Sequence, residues 1–287
     1  MSYGSPEGEE SVEAYYTDIR RGRRPSDELL LELKERYRAI GGSPLAGITR
    51  SQAQLLGEAL GVAVFTAFKH SPPFLPEGAA EATAAGIDRL IALPLAPHYS
   101  KRSLGEYEER LRPAWAGELV FVRGFHDHPA FIEALRGLLR EAMAGWRPER
   151  VFFTAHSLPE RLIAEGDPYL DQLRTTCRLV ADGFPLPAWQ FAFQSKSTTG
   201  EPWLGPDLLE ALEESGARSA LVCSIGFVAD HLEILYDLDI EARDWAAERG
   251  VELRRTASFN DRPEFIAALA EVVRPYLRPG QRAGETP

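Results

Sequence analysis

Glu233, Asp237 and Glu241 stand four residues apart in the stretch Val222-Cys-Ser-Ile-Gly-Phe-Val-Ala-Asp-His-Leu-Glu-Ile-Leu-Tyr-Asp-Leu-Asp-Ile-Glu241. On a helix that spacing lines one face with carboxylates. Like charges so placed cost an isolated helix some tenths of a kcal/mol per pair, which calls for a counter-ion or a proton; a divalent metal ion suits hard oxygen ligands. His156, in Phe153-Thr-Ala-His-Ser-Leu-Pro159, adds an imidazole at the lip of an apolar run. Alone, such a histidine serves well as a hydrogen-bonding group for loop amides. Beside Glu233, which lies among apolar neighbours, it can share a proton or a cation. A histidine with carboxylates suits Fe(II) and leaves coordination positions open. Asp237 and Glu241 extend the acidic row by one turn each, about 5 to 6 Å. They are either a hand-over path for a hydrated ion or a solvated face. Asp230 is expected to N-cap the helix, and His231 points elsewhere or supports Glu233 from beside it.

The opposite charge sits near the start. Tyr15, Tyr16, Arg20, Arg21, Arg23 and Arg24 fall in one segment, and Arg36-Tyr37 follow. Guanidinium forks grip carboxylates, and phenol rings stack or donate, so this pairing suits a planar carboxylated ligand; a solvated basic face is the plainer reading. The loop Gln194-Ser-Lys-Ser-Thr-Thr-Gly-Glu-Pro-Trp-Leu-Gly-Pro-Asp207 carries Trp203, either an anchor for the loop or a wall for a flat aromatic ligand.

Bulk properties narrow the field. A chain of 287 residues with net charge -11 argues against nucleic acid or an anionic membrane as the main partner. Cys177 and Cys223 form no CxxC pattern and read as two buried reduced thiols. There is no basic-then-apolar leader and no apolar run of about 18 residues, so a cytoplasmic protein without membrane insertion is expected. No exposed apolar helix stripe stands out, which makes a monomer the default.

Short apolar runs at 62–68, 89–95, 119–124, 151–155, 189–194, 219–227 and 251–257 alternate with helical patterns at 27–39, 51–60, 76–86, 103–115, 129–144, 168–183, 206–215, 229–249 and 263–277. This rhythm predicts an α/β fold of two similar doubly wound, Rossmann-like domains whose parallel sheets face a central cleft. The polar Ala144-Gly-Trp-Arg-Pro-Glu-Arg150 stretch separates residues 1–145 from 146–287, with the last helix packing back on the N-terminal domain. Ligands bind beyond the carboxyl ends of such strands, where Tyr3, Lys69, His70, His98, His156, Ser195 and Asp230 fall. No GxGxxG or GxxxxGK[ST] motif supports a dinucleotide or nucleoside triphosphate. The opening Met1-Ser-Tyr-Gly-Ser-Pro reads as the end of a strand entering a loop; a central strand needs about five residues, so either the start is assigned late or the first strand is unusually short.

Over nearly its whole length the chain resembles the ferrochelatases. The resemblance is carried by Tyr3-Gly-Ser-Pro, Tyr15-Tyr-Thr-Asp-Ile-Arg-Arg-Gly-Arg, Gly41-Gly-Ser-Pro-Leu, Leu95-Ala-Pro-His-Tyr-Ser, Ala155-His-Ser-Leu-Pro, Trp203-Leu-Gly-Pro-Asp and Gly226-Phe-Val-Ala-Asp-His-Leu-Glu, in the family's order. The Tyr-Tyr-Thr segment, with no apolar membrane-binding lip, is most similar to the coproporphyrin III enzymes. The resemblance implies that His156 and Glu233 are catalytic, binding ferrous iron and accepting pyrrole protons. It also implies that Tyr3 can ligate iron in the product, that Arg20, Arg36, Tyr37, Ser43 and Tyr107 contact the substrate, and that Asp237 and Glu241 deliver metal. Porphyrin and Fe2+ are then the partners, together with transient contacts to neighbouring heme-pathway enzymes.

The sequence departs from the pattern in two places. His126 stands where the coproporphyrin enzymes usually carry Tyr, and the loop at Gly42-Ser43 is one residue shorter. The cysteines that hold an iron–sulfur cluster in some relatives are missing, so no cluster or other cofactor beyond substrate Fe2+ is expected. Protoporphyrin IX, cobalt insertion into another tetrapyrrole, and a non-catalytic tetrapyrrole or metal carrier stand as alternatives.

Overall fold

The computed structural model describes residues 1–196 and 200–278. In the N-terminal half, β1 (Arg89–Ala92) pairs in parallel with β2 (Glu118–Phe121), Ile91 opposite Val120. The two-residue period of a strand sends alternate side chains to opposite faces. Leu90 and Ala92 join Leu75, Ala79 and Leu111, while Ile91 and Leu93 join Leu56, Leu269 and Val273. Both faces of this small sheet are therefore covered.

The strand expected over 62–68 is not a ladder strand; within it only Phe68 bridges, to Ser2 and to Phe74. The reason is the brevity of its neighbour. Residues 1–3 lie between it and β1, with the Met1 amine donating to Leu93 O at 2.9 Å, Leu95 N to Met1 O at 2.8 Å, Ser2 N to Ala67 O at 3.2 Å and Lys69 N to Ser2 O at 3.0 Å. β1 is also shorter than expected, because Pro94 has no N–H for a ladder.

The C-terminal half is fuller. β3 (Arg150–His156), β4 (Ala188–Gln194), β5 (Ser219–Ser224) and β6 (Glu252–Arg255) form a parallel sheet in the order β4-β3-β5-β6. Val151, Phe153 and Ala155 pack with Leu173 of the helix Tyr169–Asp182. Phe152, Ala192 and Val222 pack on the other side with Leu208, Leu212 and Ile234. Phe152 and Phe153 are fully buried, each stabilising by about 1.5–3 kcal/mol relative to exposure. A central strand buried on both faces is the doubly wound arrangement that the continuous apolar runs predict.

The helix Pro263–Val273 packs against Leu45–Leu60 and Pro129–Ala142, both from the N-terminal half. One apolar cluster runs from Leu56, Val122 and Phe131 to Val151 and Leu221, so the two halves share a core. Among the described residues, no helix is long and apolar enough to cross a membrane.

Candidate active site

β3 and β5 are neighbours, and their carboxyl ends deliver the chemistry. His156 is the last residue of β3. After β5 the chain turns at Gly226, where a Cβ would come within 2.5 Å of the Ala155 Cβ, so only glycine lets the turn lie this close to the strand. The following helix begins at Leu232, and Glu233 enters its first turn beside the end of β3. The expected cap is corrected here. His231 occupies the N-cap position, while Asp230 instead accepts from Ser258 Oγ at 2.7 Å and Asn260 Nδ2 at 2.8 Å, tying down the loop after β6. An uninterrupted α-helix over 229–249 is also corrected. A short α-helix, Leu232–Leu235, passes into a π-helix, Asp237–Ala242, and then into a second α-helix, Arg243–Glu248. Glu241 N reaches back to Tyr236 O at 2.9 Å, the wider turn that often marks functional sites.

His156 Nδ1 and Glu233 Oε2 are 3.0 Å apart, and their side chains are 32% and 33% exposed, half-enclosed but open on one side. Burial pulls the imidazole down, yet the Glu233 carboxylate, by charge and by hydrogen bond, outweighs it and holds the ring above its ordinary value. Burial pushes Glu233 up, and His156 followed by His231 overcomes this, leaving the carboxylate well below the usual range. His231 Nε2 lies 3.9 Å from the same Glu233 oxygen. Two groups that sequence reading did not join to the pair hold it in place: Gln194 Nε2, at the end of β4, donates to Glu233 O at 2.9 Å, and Tyr169 donates to His156 O at 3.0 Å.

Asp237 continues the acidic row, but with different chemistry. Burial and then the charge of Glu233 push it up to about 7, although a short bond from Ser195 opposes the shift. Ser195 takes a left-handed φ of 60° to make that bond. Arg36 Nη1 approaches Asp237 at 3.8 Å while Nη2 pairs with Glu32 at 3.0 Å, so the basic cluster and the acidic helix meet across the cleft. Glu241 is exposed one turn further on. Among the described residues, no group of three His, Cys, Asp or Glu side chains converges on one ion position. His156, Glu233, Asp237 and Glu241 are thus a pair followed by two separate carboxylates.

The opposing wall comes from the N-terminal half. Tyr3 packs its ring 4.5 Å from His70, with Lys69 Nζ 5.4 Å from its centre, and desolvation followed by the charge of Glu233 raises its hydroxyl well above the ordinary range. Tyr107, 3% exposed, lies on the other side of Lys69 at 5.4 Å. Lys69 pairs with Glu106 at 2.7 Å, and His70 bonds Asp18 at 2.5 Å; the two acids had no signal in the sequence. Tyr37 is buried against Tyr15 at 6.4 Å. Ser43 turns back to accept from Leu45 N at 3.4 Å, at the start of a helix. Arg20 lies 5.7 Å over Tyr16, and its buried Nε finds no acceptor.

A family model described as Ferrochelatase matches residues 1–277. The chain belongs to the ferrochelatase family. A relative from Thermus thermophilus named "Ferrochelatase" is 41% identical over 95% of this chain and 96% of its own. A relative from Geobacillus sp. named "Coproporphyrin III ferrochelatase" is 40% identical over 95% of each. Among solved structures, "SirB from Bacillus subtilis with Fe3+" superposes with a TM-score of 0.60 at 13% identity, covering 83% of this chain and 93% of that one, a likeness of fold. This ferrochelatase is a lyase that inserts a metal ion into a porphyrin.

Within this ferrochelatase, Trp203 stands edge-on to His156 with ring centres 6.3 Å apart and forms a bridge with Pro159, so it both anchors its loop and borders the histidine. His126 lies 6.0 Å from the buried His98. Cys177 and Cys223 are free and buried, and burial pushes the Cys223 thiol up to about 12.

Proposed function

We propose that this enzyme inserts Fe2+ into coproporphyrin III, with His156 and Glu233 as the groups that meet the centre of the macrocycle. The observation that carries the reading is the 3.0 Å contact between an imidazole at the end of β3 and a carboxylate in the first turn of the helix that follows β5, both about one-third exposed. Inserting a divalent ion releases two pyrrole N–H protons. A coupled imidazole–carboxylate pair can accept a proton and stabilise the resulting charge in place. The porphyrin must bend to present its nitrogens, and a cleft that fits the bent ring better than the flat one lowers the barrier. Iron enters as substrate, and the reading invokes no resident cofactor. Asp237 and Glu241, in line beyond the pair, suit the passage of a hydrated cation. Tyr3 faces the same space from the opposite wall and suits iron ligation in the product.

Four propionates distinguish coproporphyrin from the two of protoporphyrin IX. The buried, unpartnered Arg20 Nε and the Arg36 guanidinium at the cleft favour the more carboxylated ligand. Tyr37, Ser43 and Tyr107 are proposed as further contacts to the substrate. Titrating Arg20→Ala and Arg36→Ala with each porphyrin tests this. A charge-assisted bond is worth about 1.5–3 kcal/mol, so coproporphyrin binding should weaken about tenfold or more in each variant, and protoporphyrin binding much less. Equal losses for the two porphyrins would contradict the four-carboxylate reading.

A further inference from the structure

Between His156 and the helix Tyr169–Asp182 lies a short helix, Glu160–Ala164. It ends where Gly166 takes a left-handed φ of 85°, with Gly166 N donating to Ile163 O and Asp167 N to Leu162 O, both at 3.0 Å. Glycine adopts that backbone without strain, and the turn brings the Asp167 side chain to the start of the next helix. The first amides of a helix find no partner within it, and Pro168, at the N-cap, offers no side-chain acceptor. Asp167 Oδ1 accepts from Tyr169 N at 3.0 Å instead. Its other oxygen reaches the N-terminal half. Oδ2 accepts from Ser100 Oγ at 2.9 Å and from Lys101 N at 2.8 Å, at the start of the π-helix Lys101–Gly105. Ser100 is fully buried and accepts in turn from Arg102 N at 3.3 Å.

One carboxylate therefore sits at the N-terminal ends of two helical segments, one from each half of the chain, where the partial positive charge of both favours an anion. The π-helix runs on into Glu106–Leu111, which carries Tyr107, packed with Tyr3 about Lys69. At the other end, Tyr169 donates its hydroxyl back to His156 O at 3.0 Å. Two more bonds join the same loop to the same helix: Gln172 Oε1 accepts from Tyr99 N at 2.6 Å, and His98 Nε2 bonds Thr176 Oγ1 at 2.9 Å. The halves are thus tied along this helix at more than one point, and Asp167 is the tie that adjoins Tyr169. We propose that Asp167 is a positioning residue for metal insertion: by clamping the Lys101 and Tyr169 amides, it sets His156 at a fixed distance from the helical segment that carries Tyr107. This role rests on the reading of His156 and Glu233 as the groups at the centre of the macrocycle. Misplacing a reacting group by about 1 Å can lower a rate about 10²-fold. Arg20 and Arg36 lie outside the clamp, so its loss acts on turnover more than on porphyrin capture.

The test measures anaerobic Fe2+ insertion into coproporphyrin III by Asp167→Asn, Tyr169→Phe and the double variant, with hydrogen exchange at the Lys101 and Tyr169 amides. Asparagine keeps the size of the side chain but only one accepting oxygen, so exchange should quicken at one of these amides or both. Asp167→Asn should lower kcat and kcat/KM together about tenfold, with the KM for porphyrin within about twofold of wild type. Tyr169→Phe should do the same. The double variant should fall no more than about twofold below the slower single one, because both substitutions interrupt one path to His156. A wild-type kcat in Asp167→Asn, a rise in KM with kcat unchanged, or single effects that multiply in the double variant would each overturn the proposal. Should Asp167→Asn not fold, Ser100→Ala takes its place: it removes one of the three bonds and should lower kcat about threefold, and an unchanged kcat there overturns the proposal too. His156→Ala, run in parallel, separates the two readings. Wild-type turnover in that variant contradicts the catalytic pair, whereas a wild-type kcat in Asp167→Asn beside an inactive His156→Ala contradicts the positioning role alone.

Discussion

His156 and Glu233 set each other's charge. The carboxylate keeps a proton on the imidazole longer than burial alone would allow, and the imidazole keeps the carboxylate ionised where burial alone would neutralise it. One turn on, burial and the charge of Glu233 outweigh the Ser195 bond and the more distant Arg36 at Asp237, which shifts the other way. Across the cleft, His70 shows the opposite balance. Only 4% exposed, it is lowered to about 4 by burial, which outweighs its bond to Asp18, and the charges of Lys69 and Arg110 add to the shift. His70 is therefore neutral in the folded protein and donates to the carboxylate. Unfolded, the same ring takes up a proton near pH 6.5. Between about pH 6.5 and 4 the unfolded chain binds more protons, so stability is fully present above this window and falls as pH drops through it. Urea unfolding of wild type and His70→Gln at pH 7 and pH 4.5 should show that the variant loses about 1–3 kcal/mol less on acidification. An identical loss in both would show that His70 is not held neutral.

At the scale of the element, the turn after β5 decides whether the pair forms. Gly226 sits so close to Ala155 that an added methyl forces the strand end and the turn apart. Gly226→Ala should destabilise by about 1–3 kcal/mol, as overpacking does, lower Tm by several degrees and reduce turnover. Adding Ala155→Gly should recover only part of the loss, because the Ala155 Cα also stands 2.9 Å from the added methyl. Full stability in the single variant would contradict the close approach. The strands of the C-terminal half were legible in the sequence because their runs are apolar at every position, and His156 and Glu233 were legible because each follows such a run. The π-helix was not, since 232–248 has the same apolar spacing as an α-helix and only the hydrogen bond of Glu241 to Tyr236 reveals the wider turn. Asp230 misled because an acid before a helix reads as a cap, whereas Ser258 and Asn260, nearly thirty residues away, claim it. Asp18 and Glu106 lie on helix faces with no local sign of the buried His70 and Lys69 they meet.

Across the whole molecule, a shared apolar core and the helix Pro263–Val273 hold the two parallel sheets together. In the proposed site the lobes supply complementary halves, arginine and tyrosine from the first, imidazole and carboxylates from the second. On the proposed reading metal insertion needs both at once, the first to grip the macrocycle rim and the second to work at its centre. The most direct test is the anaerobic initial rate of Fe2+ insertion into coproporphyrin III by wild type, His156→Ala and Glu233→Gln, with porphyrin binding measured in parallel. Each substitution should lower turnover at least about 10²-fold, the scale of a lost positioned acid or base, while porphyrin still binds. Turnover equal to wild type in either variant, or no turnover in wild type, would contradict the account.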